Sequence, residues 1–379
     1  MSAPRHLCYL TGTRADFGLM ASTLRLLHAD PRFALSLLVT GMHLSPEFGL
    51  TVREIEAEGF DIQGRVACEM ANADGGQMAR NIGLMLQGFV DALQQRRPEA
   101  LLVLGDRGEM LAGALAAAHL GIPVVHLHGG ERSGTVDEPV RHAISKLSHL
   151  HLTATADARD RLIRMGERPD RITVVGAPGL DGLTALANRG RAELCAQEGL
   201  DPAARLALLV FHPVLQEAAQ AGAQMRLIAQ SLSDTGHAVL ALMPNADAGS
   251  AEVRAALQSF AAPGRFIVKT HLPRPEFVAW MAQADVMVGN SSSGIIEAAS
   301  FGTPVLNLGS RQNMRERNAN VLDLPIEAGA LLVALARVPA RSAPPHLNVY
   351  GDGRTGPRIV DFLASVALTP ELMDKCNAY

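Results

Sequence analysis

Groups able to do chemistry recur in this chain directly after short apolar runs. Thr11-Gly12-Thr13-Arg14-Ala15-Asp16 follows residues 7–10, and Gly105-Asp106-Arg107-Gly108-Glu109 follows residues 100–104. His128-Gly129-Gly130-Glu131 follows residues 122–127, with Asp137-Glu138 shortly after. Later, His212-Pro213 follows residues 206–211, and Gly289-Asn290-Ser291-Ser292-Ser293-Gly294 follows residues 285–288. Gly309-Ser310-Arg311-Gln312, with Arg315 and Arg317, follows residues 305–308.

Clustered acids repel one another, so Asp106, Glu131, Asp137 and Glu138 would have their proton affinities driven apart, as a general acid and base near neutral pH require. A place in the first turn of a helix reaching Leu147 explains Asp137 or Glu138 but not the whole set. Asn290, Ser291, Ser292 and Ser293 precede a helix predicted over residues 295–300, and consecutive hydroxyls and free amides there can hold a diphosphate without net positive charge. As plain helix caps the serines would need no ligand. Glu297, one turn into that helix among small apolar residues, suits hydrogen bonds from ribose hydroxyls. Arg14 adds a bidentate anion contact at the first β-α turn, where Asp16 reads equally as a helix cap or as part of a ligand loop. His212 points toward the same side, with an ordinary loop histidine beside a proline as the alternative. Arg311, Arg315 and Arg317 bring guanidinium groups next to the serine loop; a solvated basic face is the plainer reading. His126 and His128 alternate along a strand and so face one way. No third ligand accompanies them, so they are read as hydrogen-bonding groups, and neither a metal nor another cofactor is expected.

The elements that must position these groups alternate. Apolar runs at 7–10, 34–39, 100–104, 122–127, 149–154 and 172–175 read as buried strands, separated by helical patterns such as 20–28, 76–95 and 109–120. This β-α rhythm predicts a parallel sheet with helices on both faces. It breaks at Gly176-Ala177-Pro178-Gly179 and Asn188-Arg189-Gly190, then restarts with strands at 206–211, 238–243, 266–268, 286–288 and 305–308. The fold class is therefore α/β with two Rossmann-like halves. We divide them as residues 1–180, carrying the carboxylates, and 181–355, carrying the serine loop, with a closing helix in 356–379 that packs back on the first half. In open α/β sheets ligands gather beyond the carboxyl ends of strands, where the groups above lie. Neither a G-x-x-x-x-G-K-[ST] nor a G-x-G-x-x-G stretch is present, which removes the main support for ATPase and dinucleotide chemistry.

Composition narrows the partners. With 379 residues, 48% hydrophobic and 19% charged, the chain can fill more than one core. A formal charge of -4 gives no field to attract nucleic acid or an anionic membrane, and 4% aromatic residues with one Trp make a poor base-stacking surface. Cys8, Cys68, Cys195 and Cys376 lie far apart, as in reduced thiols, and no apolar run reaches the ~20 residues of a membrane span. A cytoplasmic protein is expected.

Together these segments resemble the hydrolysing UDP-N-acetylglucosamine 2-epimerases, enzymes of sialic- or legionaminic-acid type sugar synthesis. The likeness runs from Thr11-Gly12-Thr13-Arg14-Ala15-Asp16-Phe17-Gly18 through Val39-Thr40-Gly41-Met42-His43-Leu44-Ser45 and the carboxylate stretch. It continues through the serine loop and Phe301-Gly302-Thr303-Pro304 to Tyr350-Gly351-Asp352-Gly353-Arg354, and so covers nearly the whole chain. It implies a GT-B fold, with two Rossmann-like domains facing across a cleft and the nucleotide held mainly by the second. By that likeness Ser291, Ser292 and Arg14 meet the diphosphate, Glu297 the ribose, and His212 the phosphate or sugar region. Asp106, Glu131 and Glu138 surround the sugar, Glu131 as leading base or acid, with Asp137 in support.

Non-hydrolysing relatives carry Glu-Ala-Gly-x-Arg where this chain has Gly129-Gly130-Glu131-Arg132-Ser133-Gly134-Thr135, which favours the hydrolysing branch. The implied reaction eliminates UDP to a 2-acetamidoglycal and hydrates it with inversion at C2. The substrate is UDP-N-acetylglucosamine or its 2,4-diacetamido-2,4,6-trideoxy analogue. A non-hydrolysing epimerase and a GT-B glycosyltransferase are the alternatives, and a homo-oligomer, dimer or tetramer, is implied.

Overall fold

A computed structural model describes residues 3–70, 74–134, 137–338 and 348–379. Thr135, the last residue of the stretch that separates the two branches, lies outside them.

The first sheet contains β1 (Arg5–Thr11), β2 (Phe33–Thr40), β3 (Asp61–Val66), β4 (Ala100–Leu104), β5 (Val124–Leu127), β6 (Leu150–Thr153) and β7 (Ile172–Val174). Its order is β3-β2-β1-β4-β5-β6-β7, and every pairing is parallel. The second sheet contains β8 (Leu206–Val210), β9 (Ala238–Leu242), β10 (Phe266–Lys269), β11 (Val286–Gly289), β12 (Val305–Leu308) and β13 (Val321–Leu324). Its order is β10-β9-β8-β11-β12-β13, again parallel throughout. Central strands such as LLVL of β4 and LALLV of β8 are apolar on both faces because helices cover both sides.

The edges differ. Strands β3 (DIQGRV) and β13 (VLDL) are half-exposed and carry charges, so they lack the continuous apolar run that marks a buried parallel strand. Their neighbours supply the order instead: β3 pairs with β2 and β13 with β12.

The closing helix, Thr355–Ser365, returns to the first sheet, where Ile359, Val360 and Leu363 join the core of Leu7, Tyr9, Met20 and Leu24. Asp181 caps its start, accepting from the Thr355 amide at 2.8 Å and from the Gly356 amide.

One expected element is shorter than its pattern. The helix predicted over 295–300 is a five-residue helix, Ser292–Ile296, followed by a 3-10 turn, Ala298–Phe301. Gly302, left-handed at φ 64°, and the Thr303-Pro304 pair stop it so that the chain can enter β12. Glu297 therefore sits at the joint between helix and turn rather than inside a helix.

Candidate functional site

In each sheet the chain order reverses beside the first strand, at β1/β4 and at β8/β11, and this is where the strand ends diverge to leave a crevice. The two crevices face each other. A cavity of about 180 Å³ is lined from the first sheet by Thr13, Arg14, Asp106, His128, Asp137 and Arg141, and from the second by His212, Asn245, Ser291, Ser292, Arg311 and Arg315. A larger cavity of about 580 Å³ shares Arg14, His212, Ser291 and Ser292 with it and extends past Gly179, His271, Arg274 and Glu297.

At the end of β1, Thr13 caps the helix Arg14–Ala29 in a reciprocal arrangement with Asp16. The Asp16 carboxylate accepts from the Thr13 amide (2.7 Å), the Thr13 hydroxyl (2.8 Å) and the Gly12 amide (3.2 Å), and also from the Thr11 hydroxyl. Burial raises its pKa to about 6 against those hydrogen bonds. The loop it knits presents Arg14, whose guanidinium crosses the cleft to the carbonyls of Thr270 and, at 3.3 Å, Met243.

Beyond β4 and β5 the acids are held by buried cations. Arg141, 1% exposed on the helix Asp137–Leu147, pairs with Asp106 and lies 3.7 Å from Glu131. Arg315 reaches across from the second sheet to the same Glu131 oxygen, while the other oxygen receives His128 Nδ1. Glu131 is 4% exposed and is not among the residues lining either cavity. Glu138 faces back onto its own loop, accepting from the Ser133 amide and from His142 at 3.2 Å. Asp137 lines the smaller cavity 3.6 Å from Arg311. Of the four acids singled out from sequence, Asp106 and Asp137 meet the cavity, and Glu131 and Glu138 stand behind it.

The second sheet end is mostly uncharged. Gly289 adopts φ 135° with the Val210 carbonyl 2.0 Å from where a Cβ would stand, so no side chain fits there. Asn290, 1% exposed, ties β11 to β8, accepting from the His212 amide and donating to the His212 carbonyl, each at 2.8 Å. Asn290 thus holds the serine loop and does not line either cavity. Ser291 caps the short helix through the Ser293 amide, and Ser291 and Ser292 face both cavities. Ser293 lines the larger one.

Burial, then Arg311, lowers the His212 pKa to about 3, so the ring is neutral. Because the Asn245 amide donates to Nδ1 at 3.2 Å, the ring proton is on Nε2, leaving a donor for the cavity. Arg311 bonds the Asn290 carbonyl at 3.2 Å. Arg317 turns away, bonding Asp323 at 3.0 Å and the carbonyls of Arg315 and Gln312, and lines neither cavity. Glu297 pairs with Arg274 through one oxygen, and its other oxygen is buried without a partner among the described residues.

Sequence reading passed over Arg141, Arg274, Asn245 and His271. Arg141 left a trace: it shares a helix face with Ile144 and Ser145, where an arginine is out of place unless paired. His271 lies on the connection between β10 and the next helix and Arg274 opens that helix, and neither carries a local pattern. His126 does not approach a metal arrangement, its nitrogens bonding Ser145 Oγ at 3.1 Å and the Gly105 carbonyl at 2.8 Å. Among the described residues no three His, Cys, Asp or Glu side chains are grouped to hold a metal ion. Nor is any described helix long and apolar enough to cross a membrane.

Comparison with known proteins bears on these walls. The family model Epimerase_2, UDP-N-acetylglucosamine 2-epimerase, matches residues 25–364. A Legionella pneumophila protein named UDP-N,N'-diacetylbacillosamine 2-epimerase (hydrolyzing) is 47% identical over 375 residues, covering 99% of this chain and 100% of the relative. A Campylobacter jejuni protein named GDP/UDP-N,N'-diacetylbacillosamine 2-epimerase (hydrolyzing) is 33% identical over 329 residues, 85% of each chain. The crystal structure of UDP-GlcNAc 2-epimerase from Neisseria meningitidis bound to UDP-GlcNAc matches in fold with a TM-score of 0.78 at 18% identity, covering 95% of this chain and 100% of that one. With paired parallel sheets facing across a cleft and a family match over most of its length, the chain has a GT-B fold and belongs to the UDP-N-acetylglucosamine 2-epimerase family.

Proposed function

We propose that the protein is a hydrolysing 2-epimerase of a UDP-linked 2-acetamido sugar, releasing UDP and the free C2-inverted sugar. The observation that carries this reading is the cavity between the two switch points, with carboxylates on one wall and hydroxyls, a neutral imidazole donor and guanidinium groups on the other. A nucleoside fits the larger cavity, where the unpartnered Glu297 oxygen can accept from a ribose hydroxyl. The diphosphate then meets Ser291, Ser292, Arg14 and His212 Nε2–H, and the sugar lies against Asp106 and Asp137.

Removal of the C2 proton with departure of UDP from C1 gives the glycal, and water adds at C1. A positioned base contributes about 10²–10⁴-fold, so the diphosphate donors must supply much of the remaining acceleration by stabilising charge as C1–O lengthens. The Legionella likeness supports the 2,4-diacetamido-2,4,6-trideoxy sugar over N-acetylglucosamine. A place in sialic- or legionaminic-acid type synthesis, a cytoplasmic location, a homo-oligomeric assembly and the division at residues 180 and 355 belong to the same reading.

Incubation with both UDP sugars in ¹⁸O-water, and separately in D₂O, tests it without any acceptor. Free UDP should appear unlabelled, with ¹⁸O on C1 and deuterium on C2 of the released sugar. Label on phosphate, or a C2-deuterated product still joined to UDP, would overturn the hydrolytic elimination.

A further inference from the structure

His128 combines features that no structural role requires together. It lies just beyond β5 at φ 62°, a left-handed backbone that a histidine adopts at a cost, and it lines the smaller cavity. Its Nδ1 faces the Glu131 carboxylate, which can only accept there, so Nδ1 carries the proton and Nε2 holds a lone pair. Nε2 is buried and has no hydrogen-bond partner among the described residues. Glu131 is fixed in turn by Arg315 and Arg141, so the ring cannot change tautomer without disturbing a buried ionic cluster.

We infer that His128 is the base that takes the sugar's C2 proton, with Glu131 as its positioning residue; this rests on the 2-epimerase reading above. In the step, Nε2 accepts the C2 hydrogen as a proton, the C2–H electron pair becomes the second C1–C2 bond, and the C1–O pair leaves with UDP. The imidazolium so formed keeps its Nδ1–H on the Glu131 carboxylate, which offsets the new charge. Inversion requires a proton returned to the opposite face of C2, a task for a second acid, and Asp16, Asp106 and Asp137 are the carboxylates lining the same cavity. Burial, reinforced by Arg315, lowers the ring's pKa to about 3, so the free enzyme holds it neutral. The base is thus an imidazole oriented by a carboxylate, and not the Glu131 carboxylate itself.

Asn tolerates the left-handed backbone but cannot take a proton, which makes His128→Asn the first test. UDP release should fall by about 10²-fold or more while UDP affinity is kept. His128→Gly relieves the backbone and opens room for a small base, so free imidazole should restore part of its lost turnover. Near wild-type UDP release by H128N overturns the role of His128 alone, as does an H128G variant that binds UDP but gains nothing from imidazole. Absence of UDP release from the wild-type protein with every 2-acetamido sugar overturns the reaction, and the role of His128 with it.

Discussion

The two strand ends that face each other across the cleft solve opposite problems. At the first, full charges are locked by buried arginines: Asp106 on Arg141, Glu131 between Arg141 and Arg315. At the second, Ser291, Ser292 and the neutral His212 offer dipoles. Even the histidines are complementary, since His128 presents a lone pair and His212 a donor, each tautomer set by the partner on Nδ1. Neutral donors can hold a diphosphate and still let it go, because they do not trap a full counter-charge. Fixed charges around a proton-transfer site cost desolvation in folding but need no rearrangement during reaction.

Breaking the ionic wall should have the largest effect. Arg141→Met removes a cation that is 1% exposed and leaves Asp106 and Glu131 with less compensation. Removing one partner of a buried ion pair costs about 3–5 kcal/mol, and denaturant unfolding should show a loss of that size. A loss below about 1 kcal/mol, the range of exposed pairs, would mean that this wall is as solvated as a surface.

A charge from the first wall and a hydroxyl from the second should give a graded response in UDP binding. Arg14→Ala removes a charge-assisted contact worth about 1.5–3 kcal/mol, so calorimetry should show UDP affinity down about ten-fold or more. Ser292→Ala removes a neutral hydrogen bond worth about 0.5–1.5 kcal/mol and should weaken UDP less. Equal losses would show that the Ser292 hydroxyl counts for as much as the Arg14 charge; no change in either variant would move the diphosphate out of the cleft.

Much of this architecture was legible because apolar runs mark buried parallel strands, and the polar residues after them mark the cleft. The charged edge strands β3 and β13 escaped the same test, since only pairing with β2 and β12 orders them. Within the site, residue type was readable but facing was not. Glu131 and Asp106 look alike in sequence, and tertiary packing turns one onto Arg315 and leaves the other at the cavity. Arg317 follows Arg315 by two residues yet points to Asp323, a choice fixed by β13. His128 was visible as a residue, but its left-handed backbone and its bond to Glu131 arise only once the loop closes.

The smallest effect concerns how dry the two ends are. Burial lowers the pKa of His126, His128 and His212 alike to about 3, so all three are neutral in the fold and would titrate near 6.5 in the unfolded chain. Their folded values are depressed, so between about pH 3 and 6.5 the unfolded chain binds more protons. The stability this represents is complete above about pH 6.5 and is lost progressively as pH falls toward about 3, at up to about 1.4 kcal/mol per pH unit for each ring. His126 isolates the effect, because it lines neither cavity and its ring bonds Ser145 and the Gly105 carbonyl. His126→Gln keeps a donor for that carbonyl and does not titrate, so its unfolding free energy should fall less between pH 7 and pH 5 than that of the wild type. Parallel curves for the two proteins would mean that water reaches the ring beneath the Asp106 turn, and that the first wall is wetter than its ion pairs imply.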